Sequence, residues 1–306
     1  MDEDVSGFFT DKKGGFFMDI TDETISTLLA GAIEFHFHPA PDGSTPRKVD
    51  AFEALREAKS VGMRAMVLKD KSCGTGAIAQ LANKYAVGAT AVGAITLDKS
   101  IGGLNPEAVE IEAALGSKVV WMPTYSALND PTKKKTEKGN KRYNLTIIDS
   151  TGALLPEVIE IISIVKDHDM VLATGHLSKK ESFALIKAAA NRGLKKMAVT
   201  HPLNINVKTR MTVDEQIALS QMGAYMEHTW VATMHKHDEL PFSDFTVAIR
   251  AVGVAKCLVA TDFGQIHNPT PLEGFRLMLA SLLQEGFSSE ELAIMVKDNP
   301  ARLLNL

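Results

Sequence analysis

The sequence predicts an α/β protein built on one (β/α)8 barrel, the TIM-barrel architecture. Short apolar runs alternate with helical stripes eight times along the 306 residues. Eight such units in one chain favour a closed barrel over an open doubly wound sheet. The runs are continuously apolar, which is typical of parallel strands buried on both faces. No Gly-x-Gly-x-x-Gly follows the first strand, and this disfavours a nucleotide-binding sheet.

The predicted elements are bounded by Gly, Pro and helix-capping residues. The strands cover residues 32–38, 64–69, 90–97, 118–123, 170–176, 196–201, 224–228 and 257–262. The helices that follow them are predicted at residues 45–62, 75–86, 105–116, 156–166, 178–192, 212–223, 244–252 and 272–284. We place the start of the first of these helices at Thr45-Pro46, because a capping Thr before a first-turn Pro is typical of a helix N-terminus.

Two segments depart from the strand–helix rhythm. Residues 1–30 are predicted to form an N-terminal arm and a short helix, and residues 31–306 the barrel. Residues 124–150, after the fourth strand, are polar and basic. We therefore predict that they form an insertion.

Composition limits the choice of partners and of compartment. The net charge of −4 gives no reason to expect nucleic acid or an anionic membrane as a partner. The two cysteines suggest no disulfide framework, and the N-terminus has no apolar stretch typical of a signal peptide or membrane span. We expect a cytoplasmic protein with a small-molecule substrate. We also expect a homo-oligomer, because the arm carries four phenylalanines that are able to pack against a second subunit.

Two histidines end the first predicted strand, in the stretch Glu34-Phe35-His36-Phe37-His38. Because side chains alternate along a strand, His36 and His38 are predicted to share one face and Phe35 and Phe37 the other. Two imidazoles on one face are suited to holding one metal ion. The simpler interpretation is a strand that carries two histidines by chance.

Further polar residues recur at the carboxyl ends of the predicted strands. In a barrel these ends meet at one mouth, where the loops build the active site. The residues so placed are His36, His38, Lys69, His176, His201, His228 and Asp262. Nine histidines scattered at random would not favour strand ends on one side only, so the pattern predicts a metal site at the mouth.

This set resembles the amidohydrolase superfamily of metal-dependent hydrolases. The resemblance rests on His-x-His on strand one, a His on strands five and six, and an Asp on strand eight. The ending Asn299-Pro300-Ala301-Arg302-Leu303 is similar to a helix common in that superfamily. The resemblance covers the whole barrel, from about residue 32 to the end, and points to a branch without an assigned substrate.

The resemblance implies a set of metal ligands. They would be His36, His38, His176 and Asp262, with His201 binding a second metal or acting on the substrate. Such residues suit Zn²⁺, and also Mn²⁺, Ni²⁺ or Fe²⁺, so one or two divalent ions are expected, with zinc first.

One position departs from the pattern of the superfamily. Binuclear members carry a bridging carboxylated Lys or a Glu at the end of strand four, where this chain has Trp121-Met122-Pro123-Thr124. Either the site holds one metal, or a carboxylate comes from elsewhere. Lys69 is a candidate for carboxylation, although a substrate contact or a salt bridge is the simpler role. Glu34 and Glu227 are candidates for direct ligation.

Four residues are expected to contact the substrate: Lys69, His228, Arg47 and Arg210. His228 faces either the mouth or the outer helices. Arg47 and Arg210 are loop cations near the mouth that are able to hold a carboxylate or a phosphate. Surface salt bridges are the simpler interpretation of both.

The function expected from these residues is metal-dependent hydrolysis of a small amide, lactam, lactone or ester. Asp262 would act as general base for the attacking water. The resemblance also allows a decarboxylase with one metal, in which His201 is left for catalysis. A third alternative is a non-catalytic barrel that binds a small molecule at the same mouth.

Overall fold

The computed structural model describes residues 21–131 and 144–306, which form the predicted barrel. The expected N-terminal arm, residues 1–20, and the middle of the insertion, residues 132–143, lie outside the described residues. The strands are β1 (Ile33–Phe37), β2 (Ala65–Leu68), β3 (Thr90–Val92), β4 (Ala94–Thr96), β5 (Val119–Trp121), β6 (Val171–Ala173), β7 (Met197–Thr200), β8 (Tyr225–Thr229) and β9 (Cys257–Ala260). All pairings between these strands are parallel.

The nine segments make eight barrel strands, because β3 and β4 are two parts of one strand separated by Gly93. The hydrogen-bonded orders are β1-β2-β3 and β4-β5-β6-β7-β8-β9. Two backbone hydrogen bonds join the first strand to the chain just after the last. Asp262 N–H donates to His36 O at 2.9 Å, and His38 N–H donates to Phe263 O at 2.8 Å. This join brings His36, His38 and Asp262 side by side.

The helices follow the strands as predicted, and most of their capping residues are those that the sequence indicates. They are α1 (Asp22–Leu29), α2 (Ala51–Ser60), α3 (Gly76–Lys84), α4 (Pro106–Ala114), α5 (Pro156–Asp167), α6 (Lys179–Asn191), α7 (Val213–Gln221), α8 (Phe242–Val252), α9 (Pro271–Gln284), α10 (Ser289–Ala293) and α11 (Asn299–Leu304). Capping boxes open α6 at Ser178 and α7 at Thr212. Within the described ranges, no helix has the length and apolarity that crossing a membrane requires.

The predicted start of α2 at Thr45-Pro46 is wrong. The helix starts after Asp50, whose Oδ1 accepts the N–H of Glu53 at 2.7 Å while Glu53 Oε2 accepts the N–H of Asp50 at 2.9 Å. This reciprocal capping box satisfies two N-terminal donors, which Thr45 does not do. The preceding loop instead makes a backbone bridge between Arg47 and Gln265, and so brings Arg47 to the barrel mouth.

Strand β1 does not alternate in the simple way predicted. Glu34 pairs with Met66 and Phe37 with Leu68, so three steps on β1 face two on β2. This extra residue is a β-bulge, which shifts the side-chain alternation. Phe35 consequently lies inside the barrel with its ring 6.3 Å from that of Trp121, and not on the face of Phe37.

The core has two apolar layers. The larger layer lies between the strands and the helices, and the smaller one fills the barrel. The inner layer takes residues from all the barrel strands and ends on Leu303 and Leu304 of α11. Asn299, at the start of α11, donates from Nδ2 to Val254 O and Cys257 O, both at 2.8 Å. This helix therefore closes the end of the barrel opposite to the mouth.

Candidate metal centre

Two residues at the mouth have left-handed backbone conformations, although neither is a glycine. His201 is the first residue after β7 and has φ 56°, and Asp262 is the second residue after β9 and has φ 55°. This conformation costs about 1–2 kcal/mol for an ordinary residue, and such strain is concentrated at functional sites. Both side chains line the cavity at the mouth.

The carboxylate of Asp262 lies among three imidazoles. Its Oδ1 is 3.1 Å from His36 Nε2 and 2.9 Å from His38 Nε2, and its Oδ2 is 3.5 Å from His201 Nε2. Ligand atoms of His36, His201 and Asp262 all lie within 4.8 Å of one another. Three of the residues predicted as ligands therefore present their atoms to one point, and His38 reaches the same carboxylate.

In both strand-one histidines, Nε2 faces Asp262 and Nδ1 is hydrogen-bonded to another group. Nδ1 of His36 lies 2.6 Å from Glu227 Oε1, and Nδ1 of His38 donates to Lys69 O at 2.9 Å. A hydrogen bond at Nδ1 fixes the ring orientation and leaves Nε2 for a ligand, as in the second shell of metal sites.

The remaining two histidines are held in the same way. Nδ1 of His176 lies 2.7 Å from Asp130 Oδ2, and Nδ1 of His201 is 3.0 Å from Thr229 Oγ1. The ring centres of His176 and His201 are 5.2 Å apart. All four imidazoles thus have Nδ1 anchored, with Nε2 on the opposite side of each ring.

Burial and charge set the protonation states at the centre. Burial holds the pKa of His38 and of His201 well below the usual range, so both rings are neutral, the form that binds metal. Burial alone would raise the pKa of Asp262, but His36 and the other histidines lower it well below its usual range. Burial opposes the charge on His36, yet the carboxylate of Asp262 raises its pKa.

Lys69 reaches the same centre from the end of β2. Its Nζ is 3.0 Å from His36 Nε2 and 4.8 Å from the centre of the Trp121 ring, and burial lowers its pKa. Strand β5 is the fourth barrel strand, where a bridging residue is sought. It contributes no carboxylate to the centre, and its last residue, Trp121, packs inside the barrel.

The structure separates the four residues expected to contact substrate. Lys69 and Arg47 line the cavity at the mouth. Arg210 does not, because its guanidinium pairs with Asp244 at 2.9 Å in a separate outer groove. His228 also lies away from the mouth, with its ring 5.6 Å from that of Phe245 on α8. The alternation of β8 turns Glu227 inward and His228 outward.

Two carboxylates have roles other than the direct ligation expected of them. Glu227 lies behind His36, on the side away from Asp262. Glu34 accepts the N–H of His36 at 2.9 Å and the N–H of Thr261 at 3.1 Å. Burial raises the pKa of Glu34 to about 7. The carboxylate of Glu34 therefore binds backbone N–H groups at the β1 bulge.

Sequence reasoning missed Asp130 and Thr229, which orient His176 and His201. Asp130 lies in the insertion, where its side chain is buried. Nothing in the local sequence distinguishes it from a loop residue. Thr229 ends β8, next to His228, and its position at a strand end was the one available signal.

The centre lies at the base of a cavity of about 450 Å³. At its base are His38, Lys69, His176, His201 and Asp262. Its walls include Arg47, Lys71, Tyr125, Asn204, Lys236 and Gln265. This volume suits a small molecule.

Solved structures share this fold. An amidohydrolase from Pseudomonas aeruginosa aligns with a TM-score of 0.63 at 13% identity, over 92% of this chain and 98% of the other. A 2,6-dihydroxybenzoate decarboxylase from Rhizobium aligns with a TM-score of 0.54 at 12% identity, over 90% and 99%. A TatD homologue from Escherichia coli aligns with a TM-score of 0.57 at 14% identity, over 91% and 99%. The resemblance to the amidohydrolase superfamily is thus confirmed at the level of the fold.

Comparison of sequences assigns the chain to a family. None of the curated proteins searched matches the sequence. Residues 31–227, more than half of the chain, match a family described as "Family of unknown function (DUF6282)". The matched residues include the strand-one histidines, His176, His201 and Glu227. The chain therefore belongs to the DUF6282 family and folds as an amidohydrolase-like barrel.

Proposed function

We propose that this protein is a metal-dependent hydrolase. One observation carries the proposal: four buried imidazoles have Nδ1 anchored, and three of them direct Nε2 to the carboxylate of Asp262. Oriented imidazoles beside a carboxylate form a donor set suited to Zn²⁺, and also to Mn²⁺, Ni²⁺ or Fe²⁺. The residues present therefore fit a divalent ion.

The ligands would come from His36, His38, His176, His201 and Asp262. A bound divalent ion would lower the pKa of a coordinated water and polarise a substrate carbonyl. Asp262 is ionised and lies on a strand end, so it accepts the proton of the attacking water and passes it to the leaving group. His201 faces the same point from β7. Lys69 holds the substrate near His36. The substrate class is a small amide, lactam, lactone or ester.

A second candidate function is decarboxylation by a site with one metal. Strand β5, which ends at Trp121, supplies no carboxylate at the place in the barrel where two-metal members of the superfamily carry a bridging residue, and this favours one ion. In that case His201 stays available for catalysis. A decarboxylase shares the fold, which makes both reactions compatible with the architecture.

Metal analysis combined with a substrate screen tests the proposal. Elemental analysis of protein purified without chelator should give at least one equivalent of a divalent metal. His36→Ala and His38→Ala should lose most of it while keeping the circular dichroism of the barrel. His168→Ala is the control, because His168 is exposed and pairs with Glu110 far from the mouth. Full metal retention in both strand-one variants would overturn the metal assignment.

The reaction is then tested with lactones, lactams, N-acyl amino acids and small aromatic acids. Asp262→Asn keeps the size of the side chain but removes its basicity, so kcat should fall on the order of 10²-fold or more on any substrate found. Near-wild-type turnover by this variant would contradict the role of Asp262. Release of CO2 without hydrolysis would favour the second candidate.

A further inference from the structure

The cavity above the metal centre is more positive than the protein that contains it. The chain has a net charge of −4. The lining cations are Arg47, Lys69, Lys71 and Lys236, and the lining carboxylates are Asp238 and Asp262. A bound divalent ion would add further positive charge at the base. A cleft of one sign attracts small ligands of the other sign.

The carboxylates of the cavity are already engaged by the protein. Asp238 accepts the N–H groups of Ile205 at 3.1 Å and Asn206 at 2.7 Å. Asp262 is surrounded by the histidines of the centre. Arg47 forms an ion pair with Asp42. Its Nε and Nη2 both donate to Asp42 Oδ2, at 2.8 and 2.6 Å.

Lys71 is the wall cation whose position is best defined. It is only 5% exposed, and its Nζ lies 3.3 Å from the centre of the Tyr125 ring. Tyr125 is half-buried beside the metal centre, with its ring 6.1 Å from that of His176. A desolvated ammonium on an aromatic face is held in place by the ring quadrupole. This arrangement fixes a positive charge on the wall above His176.

The loop after β2 delivers two lysines to different depths of the cavity. Lys69 reaches His36 at the base, and Lys71 reaches Tyr125 on the wall. Asp70, between them, accepts the N–H of Ser72 and so closes the turn. One short loop therefore provides a contact near the reacting group and a separate anion contact.

We infer that the substrate is a small organic carboxylate, and that the ammonium of Lys71, held against Tyr125, binds its carboxylate group. The reaction on that substrate rests on the proposed function, whereas the binding does not. Phosphate sites are commonly built at the N-termini of α-helices, and among the described lining residues none lies in the first turn of an α-helix. The cavity volume of about 450 Å³ limits the ligand to a small molecule.

The test compares acids with neutral partners of similar shape on metal-loaded protein. Butyrate, glutarate, benzoate and phenylacetate are each measured beside the corresponding alcohol, by calorimetry, with inorganic phosphate as a third arm. At least one acid should bind about 10-fold or more tightly than its alcohol, because a charge-assisted bond is formed. In Lys71→Met this preference should fall to about 1, while the affinity for the alcohol stays unchanged.

Lys59→Met is the control, because it makes the same change of charge and size on the outer surface of α2. It should keep the preference for acids. The inference is wrong if no acid binds more tightly than its alcohol, if the preference survives in Lys71→Met, or if phosphate binds more tightly than every acid. Metal content is measured on the same samples. Lys71-dependent binding of acids in protein that holds no metal would keep this inference and overturn the proposed function.

Discussion

Nδ1 of His36 lies 2.6 Å from Oε1 of Glu227, and both side chains are completely buried. A carboxylate in this position is costly to desolvate, and its Oε2 has no hydrogen-bond partner among the described residues. Glu227 fixes the ring of His36 so that Nε2 faces Asp262, and its negative charge raises the basicity of the imidazole.

We predict that Glu227→Gln lowers metal affinity by about 10- to 100-fold, the range typical for loss of such a partner. The amide keeps the size of the side chain but loses its charge. Affinity is measured by competition with a chromogenic chelator. Glu112→Gln is the control, because Glu112 is also buried but bonds to Gly76 N–H and Ser117 Oγ away from the mouth. Equal metal affinity in Glu227→Gln and wild type would contradict the role of Glu227.

We predict that Lys69→Met leaves the metal count unchanged and raises KM for the substrate. Burial lowers the pKa of Lys69, yet its Nζ approaches Nε2 of His36 directly, which places it as a contact at the base of the cavity. Loss of a binding contact without loss of basicity raises KM more than it lowers kcat. Metal count and KM are measured together. A fall from two equivalents to one in Lys69→Met would instead identify a carboxylated bridge.

We predict that Gly264→Ala destabilises the protein by about 2–4 kcal/mol and lowers metal binding. A Cβ at Gly264 would lie 2.0 Å from His38 O, at the join between the first and last barrel strands. Urea unfolding measures the loss. Gly286→Ala is the control, because it also has a positive φ but no atom within 4 Å of the added Cβ. Its cost should be that of backbone strain alone, about 1 kcal/mol. Equal destabilisation by the two substitutions would show that the contact with His38 does not matter.

We predict that His228→Leu stabilises the protein in acid without changing metal content. Both ring nitrogens of His228 lack a hydrogen-bond partner within the described part of the chain, and burial lowers its pKa to about 3. Between pH 6.5 and 3 the unfolded chain binds a proton that the folded chain excludes. The contribution of His228 to the free energy of unfolding is therefore fully present above pH 6.5 and is lost as the pH falls.

The measurement is the free energy of unfolding of both proteins across this range. Relative to wild type, His228→Leu should gain up to roughly 1.4 kcal/mol per pH unit below pH 6.5. The remaining titrating groups are the same in both proteins, so the difference isolates His228. Parallel stability curves would show that His228 is not buried in its neutral form.

The sequence by itself determined the strand–helix order and the positions at which polar residues end the strands. Continuous apolar runs and capping residues are local signals, because burial and backbone hydrogen bonding set them within a few residues. They placed His36, His38, His176, His201 and Asp262 at strand ends, and the structure brings these residues to one mouth.

Only the tertiary structure decided which of two neighbouring side chains on a strand faces the barrel interior and which faces the helices. The bulge in β1 brings Phe35 inside the barrel, and the pairing of β8 turns Glu227 inward and His228 onto Phe245. Asp130 reaches His176 from 46 positions away in the sequence. Register, bulges and loop contacts depend on strands and loops that are distant in sequence, so no local pattern of residues specifies them.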